Sequence, residues 1–225
     1  MAVASGRGDM KRHLLTASLF LVLLCLSCVS QGALQQTDFE TDCSTGGCTS
    51  RPLDAPLALG AWLDIAVTVE LDNTSTPPPT SLRAADSAVL GVSGARITGA
   101  GGGLSALLVE TPDGVVVDFF HIWVGPATRL KLVPTRPDGT ALPSLEQVLV
   151  LAAGEQAVVE RIPYANSQLL LGRSDAVVTV DSPAVDAVND PNANRVLLTA
   201  AAPGDATVTV EALGVTTSFQ VRVTP

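Results

Sequence analysis

Beyond residue 56 the chain is governed by a two-residue period. Asp64-Ile65-Ala66-Val67-Thr68-Val69-Glu70 sets Ile65, Val67 and Val69 on one side and polar or small groups on the other. Thr207-Val208-Thr209-Val210-Glu211 and Ser218-Phe219-Gln220-Val221-Arg222-Val223-Thr224 do the same. Successive side chains of a strand point to opposite faces, so this pattern predicts strands with one buried face. Gly and Pro interrupt every 8 to 12 residues, and nothing after the N-terminal leader keeps a helical period over three turns. The expected class is all-β: antiparallel sandwiches. Short strands of Val, Leu, Ala and Thr also explain why a chain that is 47% hydrophobic is only 4% aromatic. That much apolar residue excludes disorder, and a formal net charge of -9 leaves no basic footprint for nucleic acid.

The strands recur. Ile97 to Glu110 lines up without gaps on Leu198 to Glu211, Leu59-Gly60 on Ala153-Gly154, and Phe120-His121-Ile122-Trp123-Val124 on Phe219-Gln220-Val221-Arg222-Val223. The last strand of each copy follows a hairpin marked by Asp113-Gly114 or Leu213-Gly214. Ala88 to Val92 is matched to Ala176 to Val180. Two copies imply two tandem domains, at residues 57–125 and 126–225, with the boundary at Gly125-Pro126. So short a junction predicts a semi-rigid tandem. On this alignment 17 residues separate Val180 from Leu198 but only four separate Val92 from Ile97, which makes an insertion of 13.

Thr199 to Val210, with its small residues, glycine and alternating valines, resembles the closing run of group 2 bacterial Ig-like domains. Ala127 to Pro134 and Leu151 to Glu155 are similar to the opening strands of that family. The likeness covers most of residues 57–225. It implies Ig-like sandwiches of the kind used as stalks in adhesins and as accessory modules of surface enzymes, and it implies no specific ligand. The first copy departs further, having Gly101-Gly102-Gly103 at its turn and no clear first strand.

The N-terminus predicts export. Lys11, Arg12 and His13 precede the apolar run Leu14 to Val29, short for a spanning helix, as in a signal peptide within residues 1–32; an uncleaved N-terminal anchor is the alternative. Met10 is an alternative start. Leu24-Cys25-Leu26-Ser27-Cys28 resembles a lipoprotein lipobox, which implies lipidation of Cys28; ordinary cleavage near Ser30 to Ala33 is the alternative. Arg7-Gly8-Asp9 resembles an integrin-binding tripeptide but lies ahead of the apolar run and would be left in the cytoplasm or discarded. Losing Arg7, Lys11, Arg12 and Asp9 leaves 10 basic and 21 acidic residues, a net of -11. Residues 33–56 read as an exposed acidic tether. Within it Cys43 and Cys48 are expected to form a local disulfide, the usual fate of close cysteines after export.

Few residues carry chemistry. His121 alternates with the inward Phe120, Ile122 and Val124, so it is expected to face solvent, and no Gly-x-Ser-x-Gly elbow accompanies it. Gly101-Gly102-Gly103 lacks the lysine and helix of a phosphate loop and reads as a turn. Asp181, Asp186, Asp190 and Asn192 gather hard oxygen donors in the apparent insertion, a candidate calcium site over residues 181–194; no other cofactor is expected, since His121, Cys43 and Cys48 are too few donors for zinc. Asp and Asn also simply favour turns. Asn73-Thr74-Ser75 matches a glycosylation sequon, Pro77-Pro78-Pro79 reads as a stiff loop, and Trp62, Trp123 and Tyr164 are too dispersed for a sugar platform.

The expected function is that of a non-catalytic exported protein acting in adhesion, display or spacing. Its partners would be other envelope or surface components, and it would touch membrane only through its N-terminal lipid or leader. A calcium- or carbohydrate-binding accessory module is the alternative.

Overall fold

The alternating stretches fold as strands. In the computed structural model, which describes residues 36–41, 53–70 and 79–225, the first half of the chain supplies eight of them. These are β1 (Gln36–Thr41), β2 (Leu57–Ala58), β3 (Trp62–Glu70), β4 (Ser81–Ala84), β5 (Leu90–Ser93), β6 (Arg96–Gly99), β7 (Gly103–Glu110) and β8 (Val116–Gly125). The second half supplies β9 (Arg129–Thr135), β10 (Leu149–Ala152), β11 (Gln156–Ala165), β12 (Gln168–Leu169), β13 (Val177–Val180), β14 (Val185–Asp190), β15 (Arg195–Ala200), β16 (Gly204–Ala212) and β17 (Val215–Thr224). One turn of 3-10 helix at Pro191–Ala193 is the only helical element among the described residues.

Each half is a sandwich of two sheets. In the first, β1-β3-β6-β5 faces β2-β8-β7-β4; in the second, β9-β11-β15-β14 faces β10-β17-β16-β13. Pairing is antiparallel except where the short strands β2 and β10 run parallel to β8 and β17. Taken in chain order, both halves have the strand order of an immunoglobulin-type sandwich. The inward halves of the strands make two cores. Leu90, Ile97 and Leu107 are fully buried in one; Leu151, Val159, Val196, Leu198 and Val208 are fully buried in the other.

Most of the repeat alignment holds residue for residue. Gly60 and Gly154 occupy the same turn at φ +81° and +86°, a left-handed conformation that glycine adopts at little cost, and each N–H donates at 2.8 Å to a carbonyl, Gly99 O and Ala200 O. Ile97 and Leu198 are both wholly buried, as are Leu107 and Val208.

Two expectations need correction. The tether at residues 33–56 contains β1, which pairs with β3 from Gln36↔Glu70 to Thr41↔Ile65, and also Leu53, which is buried in the first core. The first strand of the first copy is therefore present and lies upstream of residue 57. Its ladder is made by main-chain groups, so it needs no apolar run to announce it. The alignment of Ala88 to Val92 with Ala176 to Val180 is also displaced by one strand. β5 pairs with β6 as β14 pairs with β15, whereas β13 pairs with β16 as β4 pairs with β7. The apparent insertion is thus the strand equivalent to β5, followed by a longer turn.

A chain beginning at residue 57 loses the β1 ladder. It is expected to melt at least about 2 °C below one beginning at residue 36, because losing that ladder costs more than about 1 kcal/mol. A calorimetric scan of the two chains checks this, and equal melting temperatures would restore the tether reading.

Candidate functional site

Two places in the fold stand out: the joint between the sandwiches and one outward sheet face. The joint is built on the peptide after β12. Ala58 N donates to Leu171 O at 2.9 Å, Leu171 N to Pro56 O at 2.7 Å, Arg173 N to Trp62 O at 2.7 Å and Trp62 N to Arg173 O at 2.9 Å. On the other side of the same strap, Asn194 Nδ2 donates to Gly172 O at 2.8 Å and Asn194 Oδ1 accepts from Ser174 N at 2.9 Å. Arg161 Nη2 donates to Ser174 O at 3.0 Å. One short peptide is thereby stitched into both sandwiches.

Side chains tighten the joint. Leu170 and Leu171 belong to the first core although they lie between β12 and β13 of the second sandwich, and Leu213 at the β16–β17 hairpin packs on the same core. Gly172 has φ +115°, and a Cβ there would lie 2.6 Å from Ala61 Cβ and 3.0 Å from Leu57 Cδ1. No other residue fits. Asp64 receives a two-pronged contact from Arg96, with Nε at 2.7 Å and Nη2 at 2.9 Å, and Arg173 Nη1 stands 3.7 Å from its second oxygen. The Arg96 hydrogen bond holds the Asp64 carboxyl below the usual range; burial opposes it, and the charges of Arg96 and Arg173 add to it. Arg161 is 2% exposed, and its Nε and Nη1 have no hydrogen-bond partner. Burial pulls its pKa down, against the pull of Asp175 and Asp190.

The second place is the outward face of β7 and β8. Its rungs are Leu104↔Trp123, Ala106↔His121 and Leu108↔Phe119. Leu104 is 44% exposed, Phe119 50% and Trp123 60%. The Phe119 and His121 rings meet edge to face with centroids 5.2 Å apart. The equivalent rungs of the second sandwich are Asp205↔Arg222, Thr207↔Gln220 and Thr209↔Ser218, and all are polar. Each is closed by a hydrogen bond: Arg222 Nε to Asp205 at 2.7 Å, Gln220 Nε2 to Thr207 Oγ1 at 3.3 Å, and the Thr209 and Ser218 hydroxyls at 2.8 Å. The same backbone therefore carries a wet face in one copy and an aromatic face in the other.

His121 faces solvent as expected. The glycine run after β6 is a turn, with Ala100 N and Gly101 N both donating to Val89 O. Trp62, Trp123 and Tyr164 lie on three different sheets, as dispersed as expected; what that reading did not weigh is Phe119, which shares the outward face with Trp123. The alternation that turned His121 outward already held this signal, since it turns its neighbours two residues away outward as well.

The oxygen donors of residues 181–194 lie on a strand and a turn. Asp181 accepts from Thr207 N at 2.7 Å, a bond that lowers its pKa. Asp186 and Asp190 sit outward on β14, and Asp190 caps the 3-10 turn by accepting from Asn192 N at 3.1 Å. Among the described residues no group of three or more His, Cys, Asp or Glu side chains is placed to hold a metal ion. Cys28, Cys43, Cys48 and Asn73 lie outside the described residues.

No family model and no curated protein matches the chain. Among solved structures it is similar to domains 4 and 5 of the S-layer protein SbsC, at 12% identity over 85% of this chain and 99% of that one, with a TM-score of 0.33. It covers 28% of the longer SbsC structure, rSbsC(31-844). It is also similar to the Yersinia pseudotuberculosis adhesin InvE, at 13% identity over 76% of this chain and 57% of that one, with a TM-score of 0.34. At TM-scores this low the likeness sets neither family nor role.

Gly172→Ala is expected to cost about 2 kcal/mol through clash and left-handed strain. It should also raise the radius of gyration in small-angle scattering as the sandwiches separate; an unchanged melt and radius would show that the joint does not depend on this close approach. Because the folded pKa of Asp64 lies below its unfolded value near 3.9, its contribution is present above that pH and disappears as pH falls through the lowered value. Most of that contribution is the Asp64–Arg96 pair, which links β3 to β6 within the first sandwich. Acid should therefore weaken that sandwich, and Asp64→Asn should lower its melting temperature at neutral pH and flatten the acid response in a calorimetric pH series.

Proposed function

We propose that the chain is a non-catalytic exported protein of the cell surface or envelope, in which two Ig-like sandwiches hold a fixed spacing and present their outward faces to other surface components. The strap stitched on both sides carries this reading. A spacer must keep its shape under load, and main-chain bonds to both sandwiches resist bending that a bare two-residue link would allow.

The sequence supports the location. A basic segment followed by Leu14 to Val29 has the form of an export signal, and the run ending in Cys28 has the form of a lipidation site. Lipid on Cys28 would anchor the chain to a membrane without spanning it. The likeness of Thr199 to Val210 to group 2 bacterial Ig-like domains favours the same setting, in which a Cys43–Cys48 bridge would form on export.

The test is fractionation of producing cells. Wild-type chain is expected in the membrane fraction and accessible to added protease on intact cells, while Cys28→Ala moves to the soluble exported fraction. Recovery of the wild type in the cytoplasm would sink the surface reading, and a soluble exported wild type would remove the lipid anchor alone.

A further inference from the structure

We propose that the outward face of β7 and β8 docks a second copy of this chain, sheet against sheet, about a twofold axis running along the strands. The second sandwich is the internal control. At the equivalent rungs it carries Asp205, Thr207, Thr209, Ser218, Gln220 and Arg222, so neither the fold nor the packing beneath requires apolar side chains there. Leu104, Leu108, Phe119 and Trp123 are exposed or half-buried on the first sandwich for a reason outside its own stability.

The face is divided in a way that fits a copy of itself. Rings occupy the β8 column, as Phe119, His121 and Trp123, and aliphatic groups occupy the β7 column, as Leu104, Ala106 and Leu108. A twofold axis parallel to the strands lays each ring column over the aliphatic column of the mate. Trp123 then meets the partner's Leu104, His121 the partner's Ala106 and Phe119 the partner's Leu108. Large groups fall on smaller ones, as interdigitating sheet faces need, and the contact is isologous.

Charge and area agree with that occupant. Two copies of a chain with a net charge of -9 repel over most of their surfaces. These rungs carry no carboxylate, lysine or arginine, and at the rim Arg83 is paired with Glu110 at 2.5 Å. This is where two copies can meet without stripping water from an unpaired charge. Large aromatic residues each bring on the order of 150–250 Å² when covered. With these about half exposed, a pair of faces plus their rims buries on the order of 1,000 Å², the low end for a specific interface. The dimer is therefore weak, forming where the chain is concentrated. The inference does not rest on export or surface location: a strict monomer sinks the docking face and leaves that reading standing.

The test is sedimentation equilibrium of the full-length gene product, purified as its producing cell processes it, from micromolar to millimolar concentration. The weight-average mass is expected to rise from one chain towards two. The variant L104D/L108T/F119S/W123R installs the residues that the second sandwich already accommodates; it should keep its circular dichroism and weaken association at least about tenfold. Should that variant misfold, the Trp123 emission of a W62F chain gives an independent reading, expected to move to shorter wavelength as concentration rises and the ring leaves water. A flat mass for the wild type, equal association by the folded variant, or emission that shifts with a neutral oligosaccharide and not with protein concentration would each overturn the proposal.

Discussion

The arrangement of the two sandwiches depends on one peptide, Leu170 to Ser174, whose main-chain groups bond to both sides. Buried backbone donors and acceptors must be paired, and here the pairs cross from one core to the other: Ala58 and Trp62 on one side, Asn194 and Arg161 on the other. Most of the specificity lies in what the peptide lacks. Gly172 has no Cβ where one would strike Ala61, so the two backbones can come close enough to bond. The cost is a buried guanidinium, Arg161, with a single hydrogen bond to the strap and its remaining nitrogens unsatisfied. Breaking that bond would leave a charge out of water with only the attraction of Asp175 and Asp190 to set against its desolvation, so the strap is held by penalty as much as by attraction.

The sequence was legible where side chains decide structure and illegible where the backbone does. Alternating valines located β3, β16 and β17, and the Gly60 and Gly154 turns aligned because a left-handed position selects glycine in both copies. β1 was misread because Phe39 is its one large apolar residue among Thr, Asp, Glu and Gln. β14 was misread because Asp186, Asn189 and Asp190, followed by Pro191, look like loop chemistry, although Asp186 and Asp190 merely occupy the solvent side of a strand. That misreading created both the apparent insertion and the gathering of donors within it. The joint left no mark, since its bonds, main chain to main chain on one side and from the Asn194 and Arg161 side chains on the other, join groups far apart in the chain, and Gly172 looks like any loop glycine.

The two copies separate what the fold demands from what the surface adds. Inward positions are interchangeable within a narrow set: Ile97 for Leu198, Leu107 for Val208, Val124 for Val223. Outward positions have diverged completely, from Leu104 and Trp123 in one to an Asp205–Arg222 ion pair in the other. An exposed ion pair of that kind adds little stability. Its value is that it keeps the face wet and unattractive to neighbours, which is what the aromatic face does not do.

The scarcity of rings therefore carries a different meaning from the one composition invites. A thin sandwich can be filled with Val, Leu and Ala, and the second core manages with one ring, Phe219. A chain under that regime has no structural need to place phenylalanine and tryptophan on an open sheet, where they order water and risk association. Phe119 and Trp123 nevertheless stand two rungs apart on one face, with His121 between them and aliphatic groups alongside. Few rings in total do not mean a weak contact, because a handful of central aromatic residues carries most of the energy in protein interfaces. What counts is their convergence, and convergence is set by the register of β7 against β8, which composition does not record.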